Sequence, residues 1–357
     1  MRIESIECRP FKPRYRGKGF SVSYGHLTEL DHRLLMVQLA GGPRGWGEIV
    51  RLPAKDSTAA AEVEDRWLPR LQGLDLDALP ALVREVRGEG SPARGLSLAI
   101  ETAMLDLVGQ ITEMPMSALL GGPPRGDVPA LLGLSCEKPE EVAGEIRASG
   151  APHRMIQGKM GVGEIAEDLD RTRAALDALR PDQIFLADFN GVLDLDTALD
   201  ALPGLHHPAL IWEEPCRTLD ENIELAKALE TPVLFDQCID GLEPLGRAIA
   251  AGVAAGVSVK PFYMGGLGPA RAARDMCNAT GTRMRIDGPW SGQVANAASL
   301  HLALGADPEL LMFSGDLTGP LETASDLIRH PAPGRVAPAP GPGLGTAGLD
   351  LWRPETA

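Results

Sequence analysis

Residues 155–159 read MIQGK, 184–188 IFLAD, 210–213 LIWE, 233–236 VLFD and 257–260 VSVK. Each is a short apolar run that stops on a charge, and helical spacing fills the chain between one run and the next. Working outward, the same rhythm adds runs ending at Leu134, Asp287 and Phe313. The eight runs recur at intervals of roughly 23 to 29 residues, enough for one strand and one helix each, which is the pattern of a (β/α)8 barrel. At about 200 residues the repeat is slightly short of the usual span of about 250. On spacing alone a doubly wound open sheet stays open as the alternative.

The charges fall where a barrel would use them. Active sites form at the carboxyl ends of barrel strands, and six of the eight runs end on Lys or an acid. Asp188, Glu213 and Asp236 close three consecutive strands, so their carboxylates should converge. Carboxylates placed together repel unless a cation sits among them, and all-oxygen ligation suits a hard ion such as Mg²⁺ or Mn²⁺. Lys159 and Lys260 end the second and sixth strands, half a turn apart, so their ammonium groups should approach the centre from opposite sides. Near a divalent cation and a second ammonium, each should have its pKa lowered toward a value useful for a base. Such a pair suits removal of a proton next to a carboxylate, with the metal offsetting the charge that builds on the oxygens. Singly, an Asp or Lys at a strand end is most often a solvated loop residue. Five in the order Lys, Asp, Glu, Asp, Lys on consecutive strands argue against that reading.

Ahead of the barrel, Ile3 to Cys8 and Leu34 to Leu39 alternate with period two and lead into GWGE at Gly45 to Glu48, as in an antiparallel sheet. Helical spacing follows from Ala59, and LSLAIETAMLDLVGQ at Leu96 to Gln110 runs on until Gly121 and Gly122. The expected organisation is an α+β capping domain over 1–122, a barrel over 123–328 and a Pro- and Gly-rich tail over 329–357 that returns to the capping domain.

A chain of 357 residues with 44% apolar residues is large enough for a solid core, which excludes disordered and collagen-like readings. The net charge of -15 disfavours nucleic acid and anionic membrane as partners. The cysteines Cys8, Cys136, Cys216, Cys238 and Cys277 are odd in number and scattered, so neither a disulfide framework nor a zinc knuckle is expected. With no signal-peptide pattern in MRIESIECRP and no span for a bilayer, the expected location is cytoplasmic. GGLG at Gly265 to Gly268 lacks the layout of a dinucleotide site, and GxSxG and Walker sequences are absent.

Taken together, GWGE at Gly45, the Ala99 to Gly122 stretch ending LLGG, QGK at Gln157, ADFNG at Ala187, EEP at Glu213, FDQ at Phe235 and KPFYMGGL at Lys260 resemble the muconate lactonizing enzyme subgroup of the enolase superfamily. The resemblance covers essentially the whole chain. It implies a Mg²⁺-dependent enzyme with Asp188, Glu213 and Asp236 as metal ligands and Lys159 and Lys260 as the acid and base residues. It implies that Asn190 orients the site through a DxN pattern, and that Arg14 to His26 and the loop after Glu48 close over the substrate. Two positions depart from the pattern. Gln157 stands where relatives often carry a first Lys of KxK, as in members acting on proline derivatives, and Gln237 stands where a Glu usually follows the strand 5 Asp.

IDGPWSGQ places Trp290 past strand 7, and SGDL places Asp316 after strand 8. In relatives that process amino-acid derivatives a strand 8 acid holds a substrate ammonium, and an aromatic ring at the mouth can face a cationic nitrogen. The plainer alternatives are a packed Trp and a helix-capping Asp. Asp287 is a weaker candidate, because Arg283 and Arg285 share its face and could pair with it. WSGQVANAASLHLALG with PGPGLG resembles enzymes acting on proline betaines or hydroxyprolines, so racemisation or epimerisation of such a small carboxylate is the leading expectation. β-Elimination, as of a 3-hydroxyproline, is the alternative, followed by cycloisomerisation and, remotely, a silent binding protein. A homo-oligomer is expected.

Overall fold

The computed structural model describes residues 1–16, 19–22, 25–52, 57–134, 138–288, 290–315, 321–322 and 326–352. The chain opens with β1 (Ile3–Phe11), β2 (Phe20–Val22), β3 (Gly25–Leu27), β4 (His32–Leu39) and β5 (Arg44–Ile49). β1, β4 and β5 form an antiparallel sheet in that order, and β2 pairs with β3. The helices α1 (Ser57–Trp67), α2 (Leu79–Arg87), α3 (Arg94–Thr112) and the short α4 (Met116–Leu119) follow.

Period two sorts β4 between two cores. Leu35, Val37 and Leu39 pack with Val83, Leu96, Ala99 and Ala103 in the α+β domain, whereas Leu34 faces the core of the larger domain. The helix α3 is buried along most of its length and is likewise shared, with Leu96 on one side and Leu98 on the other. Its close fit to β5 depends on glycine, because a Cβ on Gly47 would stand 2.0 Å from the Ala99 carbonyl oxygen.

After β6 (Val128–Pro129) strands and helices alternate: β7 (Leu131–Gly133), α5 (Pro139–Ser149), β8 (Met155–Lys159), α6 (Ile165–Ala178), β9 (Ile184–Asp188), α7 (Leu195–Ala201), β10 (Leu210–Glu213), α8 (Leu219–Ala228), β11 (Val233–Phe235), α9 (Leu242–Ala251), β12 (Ala254–Val259), α10 (Leu267–Thr280), β13 (Met284–Ile286), α11 (Gln293–Ala303) and β14 (Leu311–Phe313). β7 to β14 pair in parallel in chain order. The ring closes where Leu131 N–H donates to the Ser314 carbonyl at 3.1 Å and Ser314 N–H to that of Pro129 at 2.8 Å, which removes the open-sheet alternative. Every barrel strand ends at, or one residue before, the residue at which its apolar run stops in the sequence. No helix among the described residues is long and apolar enough to cross a membrane.

Beyond the barrel, β15 (Ile328–Arg329) and β16 (Arg335–Pro338) build a second small antiparallel sheet with β6. The chain then meets Asp106 of α3, whose carboxylate accepts from Leu344 N–H at 2.8 Å, Thr346 Oγ1 at 2.7 Å and Trp46 N–H at 3.1 Å. Trp352 lies edge-on to Trp46 with ring centroids 5.0 Å apart.

Candidate active site

The barrel interior is layered. Met155, Leu186, Ile211, Leu234, Met312 and Phe313 form an apolar floor separate from the core outside the strands. Two residues further along four of these strands, on the same inward face, stand Gln157, Asp188, Glu213 and Asp236. Lys159 and Asn190 are one step higher again. Asp188 and Glu213 are fully buried, and their strands pair them in direct register, about 4.8 Å apart in the backbone. Carboxylates this close, away from water, require compensating charge.

Protein cations supply it. Lys159 Nζ is bonded to Asp188 Oδ2, and Lys260 Nζ lies 2.7 Å from both oxygens of Asp236. The Arg285 guanidinium reaches Glu213 with one nitrogen and Asp287 with two others. Gln157 Nε2 donates to Glu213 Oε2 at 2.6 Å and to Asp188 Oδ2 at 3.2 Å, taking up a bridging place between the acids. Asn190, in the left-handed region at φ 51°, donates to Asp188 from its backbone at 2.9 Å and its side chain at 3.0 Å.

These pairings set the charge balance of the site. Among the described residues no three acid, His or Cys side chains are arranged to enclose an ion as they stand. The reason is local: Asp188, Glu213 and Asp236 are each turned onto a different protein cation. The same contacts raise both lysine pKa values, whereas the expected lowering concerns lysines beside a bound divalent cation. Burial alone would lower Lys159 and Lys260, but Asp188 and Glu213 beside the first, and Asp236 beside the second, hold both above the ordinary lysine value. Burial and the neighbouring carboxylates push Glu213 up to about 7 against the pull of Arg285. Asp236 is held down at about 2, because Lys260 and Arg285 outweigh its burial.

The donor chemistry nevertheless fits a hard divalent cation. Three acids from adjacent strands offer oxygen alone, and Asn190 Oδ1 is buried without a hydrogen-bond partner. Formally, four carboxylates (Asp188, Glu213, Asp236, Asp287) face three cations, leaving one excess negative charge for a metal to offset.

Both lysines line a cavity of about 60 Å³ with Leu52, Gln157, Asn190, Arg285 and Trp290. A wider cavity of about 360 Å³, bordered by Arg94, Arg217 and Asp240, adjoins it and shares Asn190, Gln237 and Tyr263. Trp290 lines the lysine cavity and lies edge-on to the buried Tyr15, with ring centroids 5.8 Å apart. Asp316 and Cys136 lie outside the described residues, as do parts of the two loops expected to close over the site, 17–18, 23–24 and 53–56.

Two residues carry more of the site than their sequence signals suggest. Arg285 shares a face with Asp287 and pairs with it, but it also spans the interior to Glu213; Arg283 lies beside Arg154 instead. Glu214, second acid of the EEP stretch, turns away from the interior at φ 43° and accepts from Asp236 N–H at 2.6 Å and Cys238 N–H at 2.7 Å, which fixes the end of β11. Burial and nearby Asp236 push its carboxyl up to about 8.

Comparison with known proteins identifies both parts of the chain. Residues 5–121 match the mandelate racemase / muconate lactonizing enzyme N-terminal domain, and residues 139–348 match the enolase C-terminal domain-like family. The chain belongs to the mandelate racemase and muconate lactonizing enzyme family of the enolase superfamily. It is similar to cis-3-hydroxy-L-proline dehydratase of Roseibium aggregatum, with 30% identity over 97% of this chain and 96% of that protein. It is also similar to N-succinylamino acid racemase of Thermus thermophilus, 30% identical over 85% of this chain and 83% of the relative. Among solved structures, an enolase superfamily member from Roseovarius nubinhibens complexed with magnesium superposes with a TM-score of 0.86 at 26% identity, covering 96% of this chain and 95% of that one.

Proposed function

We propose that the protein catalyses Mg²⁺-dependent removal of the proton α to the carboxylate of a small amino-acid derivative, and that it returns a proton to the opposite face, as a racemase or epimerase. The observation that carries the reading is the placement of Lys159 and Lys260 on strands four apart, lining one cavity above buried carboxylates.

Asp188, Glu213 and Asp236 would hold Mg²⁺ or, as a substitute, Mn²⁺. A bound ion supplies positive charge next to the substrate carboxylate, where negative charge grows as the α-proton leaves. The remaining work falls to the chain's own residues. One lysine, free of its carboxylate partner, takes the proton from one face of the α-carbon, and the other delivers a proton to the opposite face. Gln157 and Asn190 keep the acids aligned, and Arg285 limits their mutual repulsion without being able to give up its own proton. Leu52 and Trp290 form the apolar walls, which favour a compact substrate of the proline type.

A second reading is supported by the similarity to cis-3-hydroxy-L-proline dehydratase along nearly the whole chain. In that reading one lysine takes the α-proton, the other gives its proton to the β-hydroxyl as the bond from the β-carbon to oxygen breaks, water departs and a carbon–carbon double bond forms. Both readings share the first step. The location in this reading is cytoplasmic, with Cys8, Cys216, Cys238 and Cys277 all free. The test is incubation in D₂O with Mg²⁺ and a panel of proline betaines, hydroxyprolines and N-acyl amino acids. Loss of the α-proton signal with inversion supports racemisation, a new olefinic or imine product supports elimination, and no exchange with any α-amino carboxylate overturns both.

A further inference from the structure

The GWGE stretch ends on Glu48, which is fully buried yet distant from both lysines in the sequence and absent from the cavity lining. Its carboxylate leaves the capping domain and meets the start of α11. Oε1 accepts from Gly292 N–H at 2.6 Å, and Oε2 accepts from Ala295 N–H at 3.1 Å. Gly292 is the N-cap of α11 and Ala295 its third residue, and the helix has no side-chain cap of its own. One carboxylate from another domain therefore satisfies the two donors that a capping box satisfies from within a helix, and its charge complements the helix dipole. The Glu48 Oε1 also lies 2.8 Å from Nδ1 of His32, itself fully buried at the start of β4.

The approach is too close for any other residue at the cap. A Cβ on Gly292 would stand 2.3 Å from the Phe11 ring and 3.0 Å from Glu48 Oε1. A parallel arrangement holds the preceding helix. Glu101 of α3 accepts from the backbone of Leu267 and Gly268 at the start of α10, and a Cβ on Gly266 would stand 2.1 Å from its Oε2. So the capping domain supplies the N-terminal carboxylates for the helices that follow β12 and β13, the strands carrying Lys260 and Asp287.

Glu48 is the more telling of the two because both ends of its reach border the substrate cavity. Leu52, four residues on, forms one wall; Gly288 and Trp290, just before the capped turn, form another. We propose that the His32–Glu48 pair is a positioning device that fixes the Trp290 wall against the Leu52 wall, and so sets the width of the cavity for the apolar part of the substrate. The consequence for substrate binding rests on the proposed function; the positioning itself does not, and the experiment separates them.

The variants are Glu48→Gln, His32→Leu and His32→Asn. Asn places an amide N–H where Nδ1 stands, so it restores the donor without the ring. Hydrogen exchange of backbone amides, read by mass spectrometry with Mg²⁺ present, follows segment 288–297 against strand segment 184–188. In Glu48→Gln and His32→Leu the first segment is expected to exchange about tenfold faster, the equivalent of one charge-assisted hydrogen bond, while the second stays protected. His32→Asn is expected to remain within about threefold of the wild type. With a substrate in hand, KM should rise about tenfold in the first two variants with kcat within about threefold, and His32→Asn should recover it. Unchanged exchange at 288–297 overturns the device, as does equal loosening of both segments, which marks a general loss of stability. If the wild type moves no α-proton at all, the functional reading fails while the exchange data still decide the positioning. If Glu48→Gln does not fold, the contrast between His32→Leu and His32→Asn decides it.

Discussion

Lys159 and Lys260 stand four strands apart in an eight-stranded ring and face one cavity, each joined to a different buried carboxylate, Asp188 and Asp236. In this arrangement both lysines are held protonated by the acids they contact. In the proposed reaction either would act as a base only with its carboxylate partner engaged elsewhere, so that metal binding and base activation would be two sides of one rearrangement of charge.

The first expectation concerns that exchange of partners. Asp188→Asn, Glu213→Gln and Asp236→Asn each remove one charge from the proposed donor set and should weaken Mg²⁺ binding severely, by at least about tenfold. Titration calorimetry with Mg²⁺ on each variant checks it, and wild-type affinity in all three would remove these acids from the metal site.

Arg285 is the cation shared by Glu213 and Asp287, all three essentially out of water. Replacing it with Ala leaves two buried carboxylates without their partner and should cost about 3–5 kcal/mol of stability. Urea unfolding of the Arg285→Ala protein reads this directly. A loss below about 1 kcal/mol would mean that the two acids are neutralised in some other way.

Much of this was legible in the sequence because an apolar run that stops on a charge marks both the strand and its functional end. Period two accounts for Asp188 and Asn190 sharing one face, and Gln157 and Lys159 likewise. Reach was not legible. The residue spacing shows that Arg285 and Asp287 share a face, but not that a long guanidinium crosses the interior to β10. Nor can periodicity reveal that Glu48 caps a helix 244 residues away, since the capped helix begins on a glycine and carries no signal of its missing cap. The expected lowering of the lysine pKa values belongs to a site holding a divalent cation, whereas direct contact with carboxylates raises them.

The joint between β5 and α3 supplies a test of packing. A methyl group on Gly47 would enter the backbone of Ala99, which cannot give way as a flexible side chain would. Gly47→Ala should therefore destabilise the protein by about 3 kcal/mol or more and lower Tm accordingly. A Tm within about 1 °C of the wild type would contradict the closeness of this contact.

His301 on α11 is buried, and burial depresses its pKa to about 4. Because the folded-state value lies below that of the unfolded chain, the imidazole is neutral in the fold and takes up a proton more readily on unfolding. Its effect is absent above about pH 6.5 and grows as the pH falls toward 4, where it should destabilise the fold by on the order of 3 kcal/mol. His301→Leu should flatten the decline in unfolding free energy between those values relative to the wild type. An unchanged pH slope would mean that His301 is not the group responsible.

The most direct test of the central claim is proton NMR in D₂O, with Mg²⁺, of each enantiomer of an accepted substrate separately incubated with Lys159→Ala and with Lys260→Ala. Two bases serving opposite faces require that each variant lose exchange from one enantiomer, that the two variants lose opposite ones, and that neither interconverts them. Undiminished loss of the α-proton signal from both enantiomers in either variant would contradict the account, because the missing lysine would then have had no face of its own.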